Sequence, residues 1–234
     1  MRLLLISNSG TPFLAHCTPA IADFLGGRRR LAFVTAASLG DEAAYHARAR
    51  DALGAVPPAG AGCEVLHLRW DADPRATLAA ADALFVGGGN TYALLARLRA
   101  AGLLEPIRAR VRDGMPYVGS SAGGNVAGPN ILTTNDWNVV ALDAFEALGL
   151  VPFNINPHYL EADPAMAPGS ETRDTRIAEY HAVHANPVVG IEEGTLLRVE
   201  AGVATVRGRG RVKLFERGRA PRWFAAGARL ALDA

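Results

Sequence analysis

Ser121 stands in Tyr117-Val118-Gly119-Ser120-Ser121-Ala122-Gly123-Gly124-Asn125, at the centre of Gly-x-Ser-x-Gly and directly after a short apolar run. The pattern predicts a strand, a tight strained turn and a helix, with the central hydroxyl left exposed. Gly119 and Gly123 permit close backbone approach at that turn. The hydroxyl would lie at the positive end of a helix, where a developing oxyanion is stabilised. The chemistry indicated is hydrolysis by a nucleophilic serine. A five-residue match also arises by chance, and a tight turn needs small residues for packing alone, so the partners must be found elsewhere in the chain.

A serine hydroxyl becomes an effective nucleophile when a base takes its proton. Among six histidines, His158 is the candidate. It lies in Asn154-Ile155-Asn156-Pro157-His158-Tyr159, where Pro157 restricts the backbone and biases Asn156 toward an extended conformation. His16 near the N-terminus, His46 in a helical pattern, His67 in a strand, and His181 and His184 near a helix end read as ordinary surface or core histidines. The base needs a carboxylate to fix its tautomer. Glu192 and Glu193 follow the apolar run Val188-Val189-Gly190-Ile191 and precede Gly194, with Asp136 in Thr133-Thr134-Asn135-Asp136 as a rival. An acidic turn between strands explains the two glutamates equally well. Gly87-Gly88-Gly89-Asn90-Thr91 reads as a phosphate cradle at a helix N-terminus, as the donor of one N–H to an oxyanion hole, or as a plain tight turn. It has neither a P-loop lysine nor the spacing of a dinucleotide fingerprint.

These residues must be positioned by strands alternating with helices. Strands are predicted at Arg2 to Ser7, Leu31 to Thr35, Glu64 to Leu68, Ala83 to Val86 and Met115 to Gly119. Helical patterns fall at Pro19 to Leu25, Asp41 to Leu53, after Asp73-Pro74, after Asn90, and from Thr172 to His181. Asp73 and Asn90 are predicted caps, with Pro74 in a first turn. Alternation of this kind implies parallel pairing with right-handed crossovers. The short continuous apolar runs suit strands buried on both faces. Ligands of such sheets bind beyond the carboxyl ends of the strands, and both Gly-rich turns fall on that edge. In the last third, Thr195 to Val199, Val203 to Val206 and Val212 to Phe215 predict a small antiparallel extension. Pro57 to Gly60 reads as a loop.

A chain of 234 residues, half of them hydrophobic, is read as one α/β domain over residues 1–234. A net charge of +1 gives no reason to expect nucleic acid or an anionic membrane as partner. The basic stretch from Arg207 to Arg222 is interleaved with glycine and reads as a solvated hairpin or loop. Cys17 and Cys63 have neither metal-site spacing nor the look of a disulfide framework, which is compatible with a reducing cytoplasm. The apolar run at the N-terminus is too short for a signal peptide, and no run approaches the ~20 residues of a membrane span.

Taken in order, Leu3-Leu4-Leu5-Ile6-Ser7-Asn8-Ser9, Val86-Gly87-Gly88-Gly89-Asn90-Thr91, Gly119-Ser120-Ser121-Ala122-Gly123, Thr133-Thr134-Asn135-Asp136, Asn156-Pro157-His158 and Glu192-Glu193-Gly194 resemble the S51 serine peptidases of the peptidase E type. These are aspartyl dipeptidases related to cyanophycinase. The resemblance runs from the N-terminus to about Gly194. It implies a flavodoxin-like parallel sheet sandwiched by helices, akin to class I glutamine amidotransferases. It implies Ser121 as nucleophile, His158 as base and Glu193, directly before the glycine, as the third member. It further implies an oxyanion hole from the backbone N–H groups of Gly89 and Ala122. The family's substrate-binding arginine lies in a Glu-Thr-Arg motif, here Glu171-Thr172-Arg173, with Arg176 as a competitor. A guanidinium suits that role because it grips a carboxylate through two hydrogen bonds.

The expected function is therefore hydrolysis of Asp-Xaa dipeptides through an acyl-enzyme, without metal or cofactor, by a monomer or a homodimer. Asp136, Glu161 and Asp163 are the acidic candidates for the substrate's amino group. Two alternatives remain at this point: a β-aspartyl or cyanophycin-like peptidase, and a non-catalytic protein that binds an anionic ligand at Gly87 to Thr91.

Overall fold

A computed structural model describes residues 1–54, 62–161, 167 and 169–230. The loop read at Pro57 to Gly60, and Asp163, lie outside the described residues. The first strands and helices alternate as β1 (Arg2–Ile6), α1 (Thr18–Leu25), β2 (Arg30–Val34), α2 (Glu42–Leu53), β3 (Glu64–Leu68), α3 (Pro74–Ala80) and β4 (Ala83–Val86). Then follow α4 (Thr91–Ala100), α5 (Leu104–Arg112), β5 (Tyr117–Ser120) and the single turn α6 (Ala122–Asn125). The helix starts follow the local chemistry. The side chains of Asp41, Asp73 and Asn90 accept hydrogen bonds from Ala44, Ala76 and Ala93, which satisfies N–H groups that the helices leave open.

Strands β1, β5, β4, β2 and β3 pair in parallel in that spatial order, as strands joined by helical crossovers do. Side chains alternate across the sheet. Leu3 and Leu5 pack into the core on one face with Leu84, Val86 and Tyr117, and Leu4 and Ile6 into the core on the other with Phe33, Phe85 and Val118. Each fully buried Leu or Phe contributes about 1.5–3 kcal/mol by leaving water. Burial on both faces explains why these strands read as unbroken apolar runs.

The remaining elements are β6 (Asn154–Tyr159), α7 (Arg173–Val183), β7 (Val188–Glu192), β8 (Thr195–Glu200), β9 (Val203–Gly208), β10 (Val212–Phe215), β11 (Arg222–Phe224) and β12 (Arg229–Leu230). The expected antiparallel extension is divided between two sheets. Strands β8, β9 and β12 continue the large sheet beyond β1, giving it eight strands. Strands β10 and β11 instead join β7 and β6 in a separate four-stranded sheet, in which β6 and β7 are parallel. The chain passes from the small sheet to the large one through Glu193-Gly194, and Gly194 turns at φ 75°. That crossing lies at the carboxyl end of β7, next to the carboxyl ends of β1 and β5.

Candidate active site

Ser121 follows β5 directly and adopts φ 51°, ψ −110°, a backbone conformation that costs a non-glycine residue on the order of 1–3 kcal/mol. The turn is closed by contacts only small residues allow. A Cβ on Gly119 would strike the Gly123 carbonyl, and one on Gly123 would strike the Val86 carbonyl. The buried Tyr117 hydroxyl donates to the Gly123 carbonyl at 2.6 Å, and the Ser121 N–H donates to the Ile6 carbonyl at 2.9 Å. Ser120, the last residue of β5, is fully buried and its hydroxyl faces Ser9 at 3.0 Å. Strand alternation thus turns Ser120 inward, and the strained turn leaves Ser121 in the cleft.

Across the cleft, His158 lies on β6 at a bulge. Asn156 pairs with Gly190 and Tyr159 with Glu192, so Pro157 and His158 oppose Ile191 alone. His158 adopts φ 53° there. Its Nε2 is 2.9 Å from Ser121 Oγ, and its Nδ1 is 2.8 Å from Glu193 Oε1. The other acidic candidates are engaged elsewhere. Glu192 pairs with Arg211 at 2.9 Å and also accepts the Arg211 N–H. Asp136 Oδ2 accepts the N–H and the hydroxyl of Thr91, at 2.7 and 2.6 Å, at the start of α4. Glu161 pairs with Lys213 at 2.6 Å.

Open N–H groups lie at the serine. Those of Gly88 and Asn90 are taken by the Tyr45 hydroxyl and the Ala37 carbonyl. Those of Gly89 and Ala122 have no acceptor among the described residues. Gly89 turns at φ 138°, and any Cβ would collide with the Ala37 carbonyl. Gly88 lies so close that a Cβ would come 3.2 Å from that of Ser121.

Two cavities meet at the imidazole. The smaller, about 250 Å³, is lined by Gly89, Ser121, Asn125, Asp136 and His158. The larger, about 450 Å³, is lined by His158, Leu160, Glu161, Arg173 and Arg176, and Asn135 borders both. Arg176 pairs with Glu171 at 2.8 Å. Arg173, the first residue of α7, has no carboxylate partner among the described residues. Burial pulls its guanidinium below its ordinary pKa, and the Arg176 cation beside it acts in the same direction. An incoming carboxylate relieves both effects.

Three neighbours of these groups were given no role by the sequence, although they close its first motif: Ser7, Asn8 and Ser9, which touch the backbone or side chains beside His158, Glu193 and Ser121. Their position was available, since three polar residues end an apolar strand at the sheet's carboxyl edge. Lys213 corrects the reading of its segment as solvated. It is 5% exposed, held between Glu161 and Asp174 at 2.6 and 2.7 Å.

A parallel α/β sheet with a strained serine turn at its carboxyl edge, facing an imidazole and open N–H groups, defines a hydrolase of the serine-nucleophile class. The sequence comparisons make that class specific. The model of peptidase family S51 matches residues 3–207. Peptidase E of Streptomyces coelicolor is 46% identical over 98% of this chain and 93% of its own. A probable alpha-aspartyl dipeptidase of Drosophila melanogaster is 44% identical over 92% of this chain and 90% of its own. The crystal structure of a peptidase from an acI-B1 Actinobacterium superposes with a TM-score of 0.73 at 20% identity, over 99% of this chain and 96% of that one, a likeness of fold alone. The chain belongs to peptidase family S51.

Proposed function

We propose that this peptidase hydrolyses dipeptides with N-terminal aspartate, using Ser121 as nucleophile, His158 as general base and Glu193 as its orienting carboxylate. The observation that carries the proposal is the Ser121–His158–Glu193 line of contacts, at 2.9 and 2.8 Å, beside a cavity that offers Arg173. The name of the Drosophila relative, a probable alpha-aspartyl dipeptidase, points to the same substrate class.

His158 Nε2 takes the Ser121 proton as Oγ attacks the carbonyl that follows aspartate. The negative charge on the former carbonyl oxygen is received by the N–H groups of Gly89 and Ala122. The imidazolium, steadied by Glu193, gives its proton to the leaving amine, and the acyl-enzyme forms. Water then enters, His158 takes its proton, and attack on the ester breaks the bond to Ser121 Oγ and frees aspartate, while the imidazolium returns its proton to Oγ. Arg173 holds the aspartate side chain. Asp136 directs its second carboxylate oxygen, which is free of bonds from the described residues, to the substrate ammonium. All these groups come from one chain, which suits a monomer or a homodimer. Among the described residues no helix is long and apolar enough to cross a membrane. Two free, buried cysteines suit a cytoplasmic enzyme.

The test is hydrolysis of an Asp-Xaa chromogenic amide at neutral pH, with and without a chelator. Activity should resist the chelator and fall on the order of 10⁴-fold or more in Ser121→Ala. Arg173→Met should lower kcat/KM on Asp substrates roughly 10²-fold, the effect of removing one partner of a hydrogen-bonded charge pair. It should leave neutral amides much less affected. α- and β-linked aspartyl dipeptides compared side by side fix the linkage. A wild type inactive on aspartyl and neutral amides alike would overturn the proposal.

A further inference from the structure

The proposed machinery is divided between two sheets. Ser121 belongs to the large one, whereas His158 and Glu193 lie on and beside strands of the small one. Hydrogen bonding within either sheet cannot fix the distance between them. In the segment directly after β1, Ser7 and Asn8 reach across the gap, and Ser9 is bonded to the large-sheet side.

Each touches the surroundings of a different member. At the β6 bulge the pairing of β6 with β7 shifts register between Asn156 and Tyr159, across the His158 N–H and the Ile191 carbonyl. The fully buried Ser7 hydroxyl lies between them, accepting from the His158 N–H at 2.9 Å and donating to the Ile191 carbonyl at 2.8 Å. One hydroxyl has one proton to give and lone pairs to accept with, so a single side chain satisfies both groups. Asn8 Oδ1 accepts the N–H of Gly194, the residue after Glu193, at 2.9 Å. The Ser9 hydroxyl meets that of Ser120, the residue before Ser121, at 3.0 Å. The Ile6 carbonyl, one residue earlier, holds the Ser121 N–H.

We infer that Ser7-Asn8-Ser9 is the positioning element of the catalytic set, with Ser7 and Asn8 fixing the base and its carboxylate against the nucleophile. The inference rests on the proposed Ser121–His158–Glu193 machinery. None of the three residues needs to touch substrate. Ser7 holds His158 in a left-handed conformation from which its ring reaches across to Ser121. Asn8 fixes the Glu193-Gly194 turn and so the carboxylate that faces Nδ1. A misplacement of about 1 Å in such a set costs on the order of 10²-fold in rate.

The experiment compares wild type, Ser7→Ala, Asn8→Ala and Asn8→Asp on the Asp-Xaa amide. It measures kcat and KM, the rate of Ser121 acylation by a fluorophosphonate, and the melting temperature. Ser7→Ala and Asn8→Ala should lower kcat and the acylation rate together, by roughly 10- to 100-fold. KM should stay within about twofold, since the groups proposed to hold substrate are untouched. Asn8→Asp keeps an acceptor for the Gly194 N–H and should recover most of the acylation rate. Asn8 is half-buried, so its variants decide the matter if Ser7→Ala does not fold. Retention of kcat and acylation rate in folded Asn8→Ala overturns the inference while leaving the catalytic reading intact. So does a rise in KM matched by no loss of kcat. An inert wild type that fails to acylate would instead strike the catalytic reading itself.

Discussion

Ser121 and His158 share an uncommon property: both hold a positive φ without being glycine. Such conformations persist only where the surroundings over-determine them. For Ser121 the constraints are Ile6, Tyr117 and the close glycine contacts, and for His158 the bulge and Ser7. Glu193 is less constrained, with 63% of its side chain exposed against 40% for His158. Water can therefore partly replace it. Glu193→Gln should lower kcat roughly 10- to 100-fold, well short of the ~10⁴-fold seen for a buried orienting carboxylate, with KM little changed. Steady-state kinetics on the Asp-Xaa amide check this, and a loss below twofold would remove Glu193 from the proposed set. At this scale the sequence offered close pairs, in which motif register favoured Ser121 and the family resemblance favoured Glu193. Ser120 and Ser121 are neighbours, as are Glu192 and Glu193. Which of each pair faces the cleft depends on where a strand ends and a turn begins. In the structure Ser120 and Glu192 close their strands, and Ser121 and Glu193 lie in the turns.

At the scale of elements, β10 and α7 are joined through charge. Lys213 lies beneath Tyr159, Phe215 and Trp223 and binds both Glu161 and Asp174. Burial alone would lower its pKa. The bonds from Asp174 and Glu161 outweigh that and hold the ammonium above its ordinary value. Tyr159 donates to the other oxygen of Asp174, and burial together with that carboxylate raises the phenol pKa. This network fixes the start of α7, where Arg173 precedes Asp174. Lys213→Met should destabilise the fold by about 1–3 kcal/mol. The full cost of an orphaned buried charge is not expected, since Glu161 and Asp174 keep 51% and 38% of their side-chain exposure. Urea unfolding measures this directly, and an unchanged midpoint would contradict it. The parallel strands and the capped helices were legible because apolar runs and cap residues are local signals. The role of Lys213 was not, because its partners are 52 and 39 residues away. Nothing in an Arg- and Gly-rich segment marks one cation as internal.

For the whole molecule, the order of motifs along the chain was enough to indicate an α/β fold of this class. What it left unread was the division of the last third into two sheets. Strands β8 and β9 alternate much as β10 does, and only tertiary pairing assigns them to different sheets. That division matters chemically, because it places the nucleophile on one sheet and the base on the other across a common edge. The same geometry explains why Ser7 to Ser9 stood in the sequence as part of an opening strand motif without a role, with partners as many as 186 residues distant. The most direct measurement is covalent labelling with a fluorophosphonate, followed by intact mass and peptide mapping of wild type, Ser121→Ala and His158→Ala. One adduct on Ser121 is predicted for wild type, none on that peptide for Ser121→Ala, and labelling slowed at least about 10²-fold for His158→Ala. An unlabelled Ser121, or an adduct on Ser120, in a preparation that still cleaves the Asp-Xaa amide would contradict a nucleophilic Ser121.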